Sequence, residues 1–335
     1  MASILQYTLI LTLLFTCACT SITDYQGLMV QDLEGMHEVT SDKIWLSHEH
    51  TLVDFIGADL IDPKKWNHDS VIQVMLPYFE ELKEFDVDYF VDCTPNFIGR
   101  DVILLEKISK QTGIRILTNT GLYGARNNHF IPSFAKEMTP EELASLWIDE
   151  YENGINGTSI KPGFIKIGVD ATTPLDTIHE RLVKAAGLTH LKTGLTTASH
   201  TGQALGFWPQ AEIIKQMGVS PEAFIWVHAQ FEEDNSHYLK AASEGYWISL
   251  DGLGWEFDNH VEKLLFAKQN GILDRILISH DAGWYDPQKE EQSIQPYTTI
   301  FKRLIPELKK QGFAKNEIKQ LISVNPARAY AIAVR

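Results

Sequence analysis

His48 and His50 stand two residues apart at the end of the apolar run Ile44-Trp45-Leu46-Ser47-His48-Glu49-His50. Alternate residues of a strand share a face, so both imidazoles point one way and can together hold one divalent cation. Further metal-capable side chains follow other apolar runs. Lys166 lies in Phe164-Ile165-Lys166-Ile167-Gly168, and His200 closes Thr196-Thr197-Ala198-Ser199-His200. His228 closes Trp226-Val227-His228, and Asp281 follows Ile276-Leu277-Ile278-Ser279-His280. Each alone is more often a hydrogen-bonded structural residue than a ligand. Lys166 demands more. Ile165, Ile167 and Val169 form an apolar face suited to helices, which leaves Lys166 on the opposite face with Phe164 and Gly168. An ammonium there must be paired, chemically modified or a ligand, unless its stem reaches solvent.

The elements that must position these groups alternate strand and helix from residue 43 onward. The pattern predicts strands at 43–50, 87–94, 115–121, 163–169, 194–200, 223–229, 246–251 and 275–280. It predicts helices at 69–85, 101–111, from 140, 175–191, 209–217, 234–244, 258–270, 298–311 and 315–322. Alternation without a domain break implies an α/β fold, a single-domain (β/α)8 TIM barrel over residues 42–335 with right-handed crossovers. A doubly wound open sheet is the competing architecture, but no Gly-rich fingerprint follows the first strand. In a barrel the active site lies at the C-terminal strand ends, where His48, His50, Lys166, His200, His228 and Asp281 all fall.

The net charge of −15, from 29 Lys and Arg against 44 Asp and Glu, argues against nucleic acid as a partner and leaves a small-molecule substrate. Residues 4–18 are nearly all apolar or hydroxylated, short for a membrane span and suited to a signal peptide over 1–20, although no Lys or Arg precedes Lys43. Cys17 and Cys19 sit where a bacterial lipoprotein is acylated, so the expectation is export, to the periplasm or to a membrane held by an N-terminal lipid. Residues 21–41 lack periodicity and read as a linker. Cys93 is the only other cysteine, so no disulfide framework exists.

Taken together, His48-Glu49-His50, Lys166, His200, His228, Ser279-His280-Asp281 and the closing Asn325-Pro326-Ala327-Arg328 resemble the phosphotriesterase family of the amidohydrolase superfamily. The resemblance spans residues 43–333. It implies two divalent metal ions, zinc being the first candidate ahead of manganese, cobalt or iron. It places His48, His50 and Asp281 on one ion, His200 and His228 on the other, and an N-carboxylated Lys166 bridging both. A hydroxide between the ions would be the nucleophile and Asp281 the general base or proton shuttle. A homodimer is a compatible assembly.

Loops after the strands should roof the pocket with Tyr123, Arg126, Trp208, Trp255 and Trp284, joined by Phe257 and Tyr285, giving an apolar site with one positive group. His280, expected to point away from the axis, and His179, His190, His237 and His260, all on helices, are set aside. The family's lactonases resemble one another in an arginine after an Asp on strand seven, but here the stretch is Asp251-Gly252-Leu253-Gly254. The expected activity is metal-dependent hydrolysis of a lactone, carboxylic ester or organophosphate triester. Amide cleavage of the N-acyl amino acid type, or a catalytically silent metal-binding barrel, are the alternatives.

Overall fold

The computed structural model describes residues 27–40 and 42–335, so the expected signal peptide, its cysteines and the first part of the linker lie outside the described residues. It opens with an antiparallel hairpin, β1 (Met29–Asp32) and β2 (Gly35–Glu38). The alternation follows: β3 (Ile44–Leu52), α1 (His68–Leu82), β4 (Val87–Asp92), α2 (Val102–Thr112), β5 (Arg115–Leu117), β6 (Asn119–Thr120) and α3 (Pro140–Asn153). It continues with β7 (Phe164–Gly168), α4 (Thr177–Thr193), β8 (Thr197–His200), α5 (Ala204–Gln216), β9 (Phe224–Val227), α6 (Ser236–Glu244), β10 (Trp247–Leu250), α7 (Phe257–Gln269), β11 (Ile276–Ile278) and β12 (Gly283–Tyr285). Short helical segments, Ile305–Lys310, Lys315–Lys319 and Asn325–Ala329, complete the chain.

Caps set the helix ends. The Asp101 carboxylate accepts from the Ile103 and Leu104 amides to start α2, and Gly113, at φ 75°, closes it. Thr139 and Glu142 form a reciprocal capping box before α3.

β3, β4 and β5 are parallel neighbours, as are β6 through β11 in chain order. Only Thr118 separates β5 from β6. The last strand meets the first: Ser47 Oγ donates to the Ile278 carbonyl at 3.0 Å, the Asp281 amide to the His48 carbonyl at 3.2 Å, and β12 runs parallel to β3. This α/β arrangement of parallel strands is consistent with the expected TIM barrel. Side chains sort into two apolar layers by the strand period. Ile165, Ile167 and Val169 pack outward with Phe79, Leu105 and Leu182, while Phe164, Trp45, Val91, Ala198, Ile225 and Leu277 pack inward. The face division expected around Lys166 is the one observed.

The chain departs from expectation in three places. Over 27–40 the supposed linker is the hairpin, with Val30 fully buried in the inner layer. The Leu33 amide donates to the Ile116 carbonyl, the Ile332 amide to the Met29 carbonyl, and Arg115 pairs with the buried Asp32 at 3.0 Å. Four-residue strands are too short to show periodicity, and tertiary pairing alone forms them. The helix expected at 209–217 begins at Ala204, whose amide is taken by the Glu232 carboxylate across the chain, so Pro209 is inside α5 rather than at its start. The third strand, expected unbroken over 115–121, is split, β5 pairing with β4 and β6 with β7.

A chain shortened to begin at Asp24 should therefore fold with an unchanged melting temperature. One beginning at Asp42 should lose roughly 3 kcal/mol or more, since Val30 and Leu33 alone bury two aliphatic side chains. Urea unfolding of the two shortened chains checks this; equal stability would mean the hairpin is dispensable.

Candidate metal centre

The six side chains singled out above line one cavity of about 70 Å³, together with Cys93, Tyr123, Phe55 and Trp284. The period of two explains Lys166 and His200, which share the parity of the inward Phe164 and Ala198. It does not by itself explain the others. Trp45 faces inward, so strict alternation would send His48 outward; register irregularities within β3, between Leu46 and Glu49, shift the phase and turn both histidines inward. His228 shares the parity of Trp226, which packs outward, but its backbone is left-handed at φ 61° and swings the ring back to the cavity. Asp281 is also left-handed, at φ 51°. Non-glycine residues held there cost about 1–3 kcal/mol each, a strain that clusters at functional sites.

His50 Nε2 lies 3.0 Å from Asp281 Oδ1, and His48 Nε2 lies 3.5 Å from the same oxygen. One donor atom each from His48, His228 and Asp281 falls within 4.8 Å of the others, the spacing of a shared cation. The His200 ring stands 4.5 Å from that of His228, edge to face. The other ring nitrogens are held from behind. His228 Nδ1 donates to Asp251 Oδ1 at 2.6 Å, His48 Nδ1 lies 3.2 Å from Asp251 Oδ2, and His50 Nδ1 meets Thr94 Oγ1 at 2.8 Å. Each bond leaves Nε2 as the nitrogen presented to the cavity.

Burial, helped by the Lys166 ammonium, holds His48 down to about 3, so its ring is neutral at ordinary pH. Burial likewise keeps His200 well below its usual value. Burial opposes a charge on His228, yet the Asp251 carboxylate outweighs it and raises the histidine. Asp251 in turn is desolvated but held well below the carboxylate range by His228 and His48. Asp281 is also held low against burial, by His228 and His50. A cation at the cavity would displace the His228 proton.

Asp251 is the residue that sequence reasoning missed, having read it only as the marker of an absent arginine. Trp247, Ser249 and Asp251 alternate along β10 with Trp247 inward, so the same period-two argument would have found it. Glu49 was likewise unread. Its buried carboxylate accepts from Ser279 Oγ, from the His280 amide and ring, and from the Ala282 amide. His280 is thereby held behind the sheet, as expected.

Pocket residues divide. Tyr123 stands edge-on to His200 at 4.9 Å and Trp284 to His50 at 5.5 Å, both lining the cavity. Trp255, 59% exposed, reaches the rim at 6.5 Å from Trp284. Arg126 is exposed and does not itself line the cavity; it lies over Phe55, which does, and over Phe130. Trp208 does not line the cavity. Because α5 starts early, it lies on that helix, donating to His237 at 3.0 Å under the Lys240 ammonium.

The donor set fits a metal centre on one structural ground above all. His48 Nε2 and Lys166 Nζ are buried without a hydrogen-bond partner among the described residues, Asp281 Oδ1 has only His50 Nε2 at 3.0 Å, and all three residues line the same cavity. A cation satisfies the histidine and the carboxylate. The lysine is satisfied as well if it carries a carboxylate.

The family model described as the phosphotriesterase family matches residues 29–330. Among curated relatives, an aryldialkylphosphatase of Saccharolobus solfataricus is 29% identical over 85% of this chain and 94% of its own length. A phosphotriesterase homology protein of Escherichia coli is 25% identical over 85% of this chain and 97% of its own. An N-acetyltaurine hydrolase of Salmo salar is 25% identical over 71% of each chain. The family match begins at Met29, so it takes in the hairpin.

Proposed function

The chain belongs to the phosphotriesterase family of metal-dependent hydrolases, and from that premise we propose that it cleaves ester bonds at a binuclear centre on a closed (β/α)8 barrel. Lactones, carboxylic esters and organophosphate triesters are the candidate substrates. The carrying observation is that His48 Nε2 and Lys166 Nζ are buried without a partner beside the Asp281 carboxylate in one cavity. Left unmade, such groups cost about 1–3 kcal/mol each.

In this reading His48, His50 and Asp281 would hold one ion and His200 and His228 the other. Lys166, with its amine joined to carbon dioxide and a proton lost, would supply a further anionic ligand. Zinc suits this nitrogen and oxygen donor set. When bound, such ions polarise the P=O or C=O group under attack and lower the pKa of coordinated water. The protein's own residues do the rest. Asp251 and Thr94 orient the imidazoles, which enter the reaction already aimed. Asp281, ionised and 3.0 Å from His50, is placed to accept a proton at Oδ1 and pass it outward. Phe55, Tyr123 and Trp284 exclude water and offer an apolar wall to the acyl or alkyl group.

The stretch Asp251-Gly252-Leu253-Gly254 lacks the arginine by which the family's lactonases resemble one another, which weakens the lactone reading. A second reading, amide cleavage at the same centre, is favoured by the N-acetyltaurine hydrolase relatives. Export and acylation at Cys17 or Cys19 rest on the N-terminal sequence, and intact mass of membrane-associated protein tests them.

Metal analysis with a panel of lactones, aryl esters, triesters and N-acyl amino acids tests the proposal. About two ions per chain are expected, with ester turnover abolished by a chelator and restored by zinc. Chelator-insensitive turnover in a metal-free protein overturns the centre; turnover of amides alone overturns the ester assignment.

A further inference from the structure

Arg126, Asn127 and Asn128 are three successive non-glycine residues in the left-handed region, at φ 63°, 57° and 58°. Such a run does not persist unaided. Here it is held by Asp170, two residues beyond β7. One carboxylate oxygen accepts from the Arg126 amide at 2.7 Å, the other from the Asn127 amide at 3.0 Å. The Asn128 amide closes the turn onto the Gly124 carbonyl at 2.9 Å, and that carbonyl also meets His179 Nε2 at 2.9 Å.

The strained turn places one side chain. The Arg126 guanidinium lies 5.6 Å from the Phe55 ring centre and 5.9 Å from that of Phe130, and among the described residues it makes no ion pair. From it, two rows of rings lead to the centre: Phe55 to Trp284 to His50, and Phe130 to Tyr123 to His200. An exposed guanidinium resting on aromatic faces, without an ion pair among the described residues and two rings from the centre, can partner an anion.

We propose that Arg126 anchors an anionic substituent of the substrate, a carboxylate or sulfonate separated from the scissile bond by a short chain, and that Asp170 is the positioning residue that holds the anchor. This deepens the hydrolase reading and rests on it for the scissile bond. It narrows the substrate class to compounds that carry a charged tail.

The test uses the metal-loaded full chain and ω-acetamido carboxylates of increasing chain length, each paired with its uncharged primary amide. Binding is measured by calorimetry, so the result does not depend on turnover. One chain length should bind at least tenfold more tightly as the carboxylate than as the amide. Arg126→Gln should erase that preference with metal content unchanged. Asp170→Ala should weaken the preference and speed hydrogen exchange at the Arg126 and Asn127 amides. Adding Asn127→Gly, which tolerates the left-handed backbone, should restore part of the preference. Equal binding of acid and amide at every length, or a preference that survives Arg126→Gln, overturns the anchor. Unaltered exchange at those amides in Asp170→Ala overturns the positioning role. Loss of ester turnover alone would count against the hydrolase reading and leave this result standing.

Discussion

Lys166→Ala should lose most of the bound metal and nearly all hydrolysis while the protein stays folded. Lys166 is 2% exposed, and its ammonium has no hydrogen-bond partner among the described residues. An unmodified ammonium between two dications would be strongly repelled, so a binuclear centre requires the carboxylated form. Removing the side chain would remove that anion, and with it a ligand of the proposed centre. A short carboxylic acid added to Lys166→Ala should occupy the vacated place and restore part of both metal content and turnover. Lys166→Arg should restore neither, because a guanidinium stays charged and cannot take up carbon dioxide. Folding is read by circular dichroism and metal by elemental analysis. Normal metal content and turnover in Lys166→Arg would show that Lys166 is no bridge.

Glu49→Ala should be the most destabilising single change near the site, at about 3–5 kcal/mol in urea unfolding. Glu49 is fully buried, and both oxygens are engaged. Oε1 accepts from Ser279 Oγ at 2.7 Å, His280 Nδ1 at 2.6 Å and the His280 amide at 3.1 Å; Oε2 accepts from the Ala282 amide at 3.0 Å. Alanine would strand all of these donors away from water. Glu49→Gln keeps the shape and one acceptor but sets an NH2 against donors, so an intermediate loss is expected and the variant should still fold. The donors flank Asp281, so Glu49→Gln should also weaken metal affinity by about 10–100-fold. A loss under about 1 kcal/mol in both variants would mean the carboxylate is not what fixes this segment.

Much of this protein is written in its local pattern. The two-residue period assigned Ile165, Ile167 and Val169 to one layer and Lys166 to the other, and the packing agrees. The alternation of short apolar runs with amphipathic ones located nearly every strand and helix, because the strands from β3 to β11 are buried on both faces and the helices on one. The residues at the strand ends were legible for the same reason: a polar group closing an apolar run has few places to go. The alternation also carried the signal for Asp251, which went unread.

Tertiary structure decided what periodicity cannot encode. The phase shift within β3 brings His48 and His50 to the side where Trp45 already points, and a left-handed backbone returns His228 to the cavity against its parity. These are departures from regular geometry, stabilised by contacts distant in sequence, such as Asp251 on the His228 amide and ring. The hairpin at 29–38 has too few residues to show a period, and it forms because Ile116 and Ile332 offer it partners. Trp208 left the pocket because Glu232, not Pro209, starts its helix. Local sequence sets which face a residue prefers; strain, register and caps are set by partners elsewhere in the chain, and those partners meet only in the folded state.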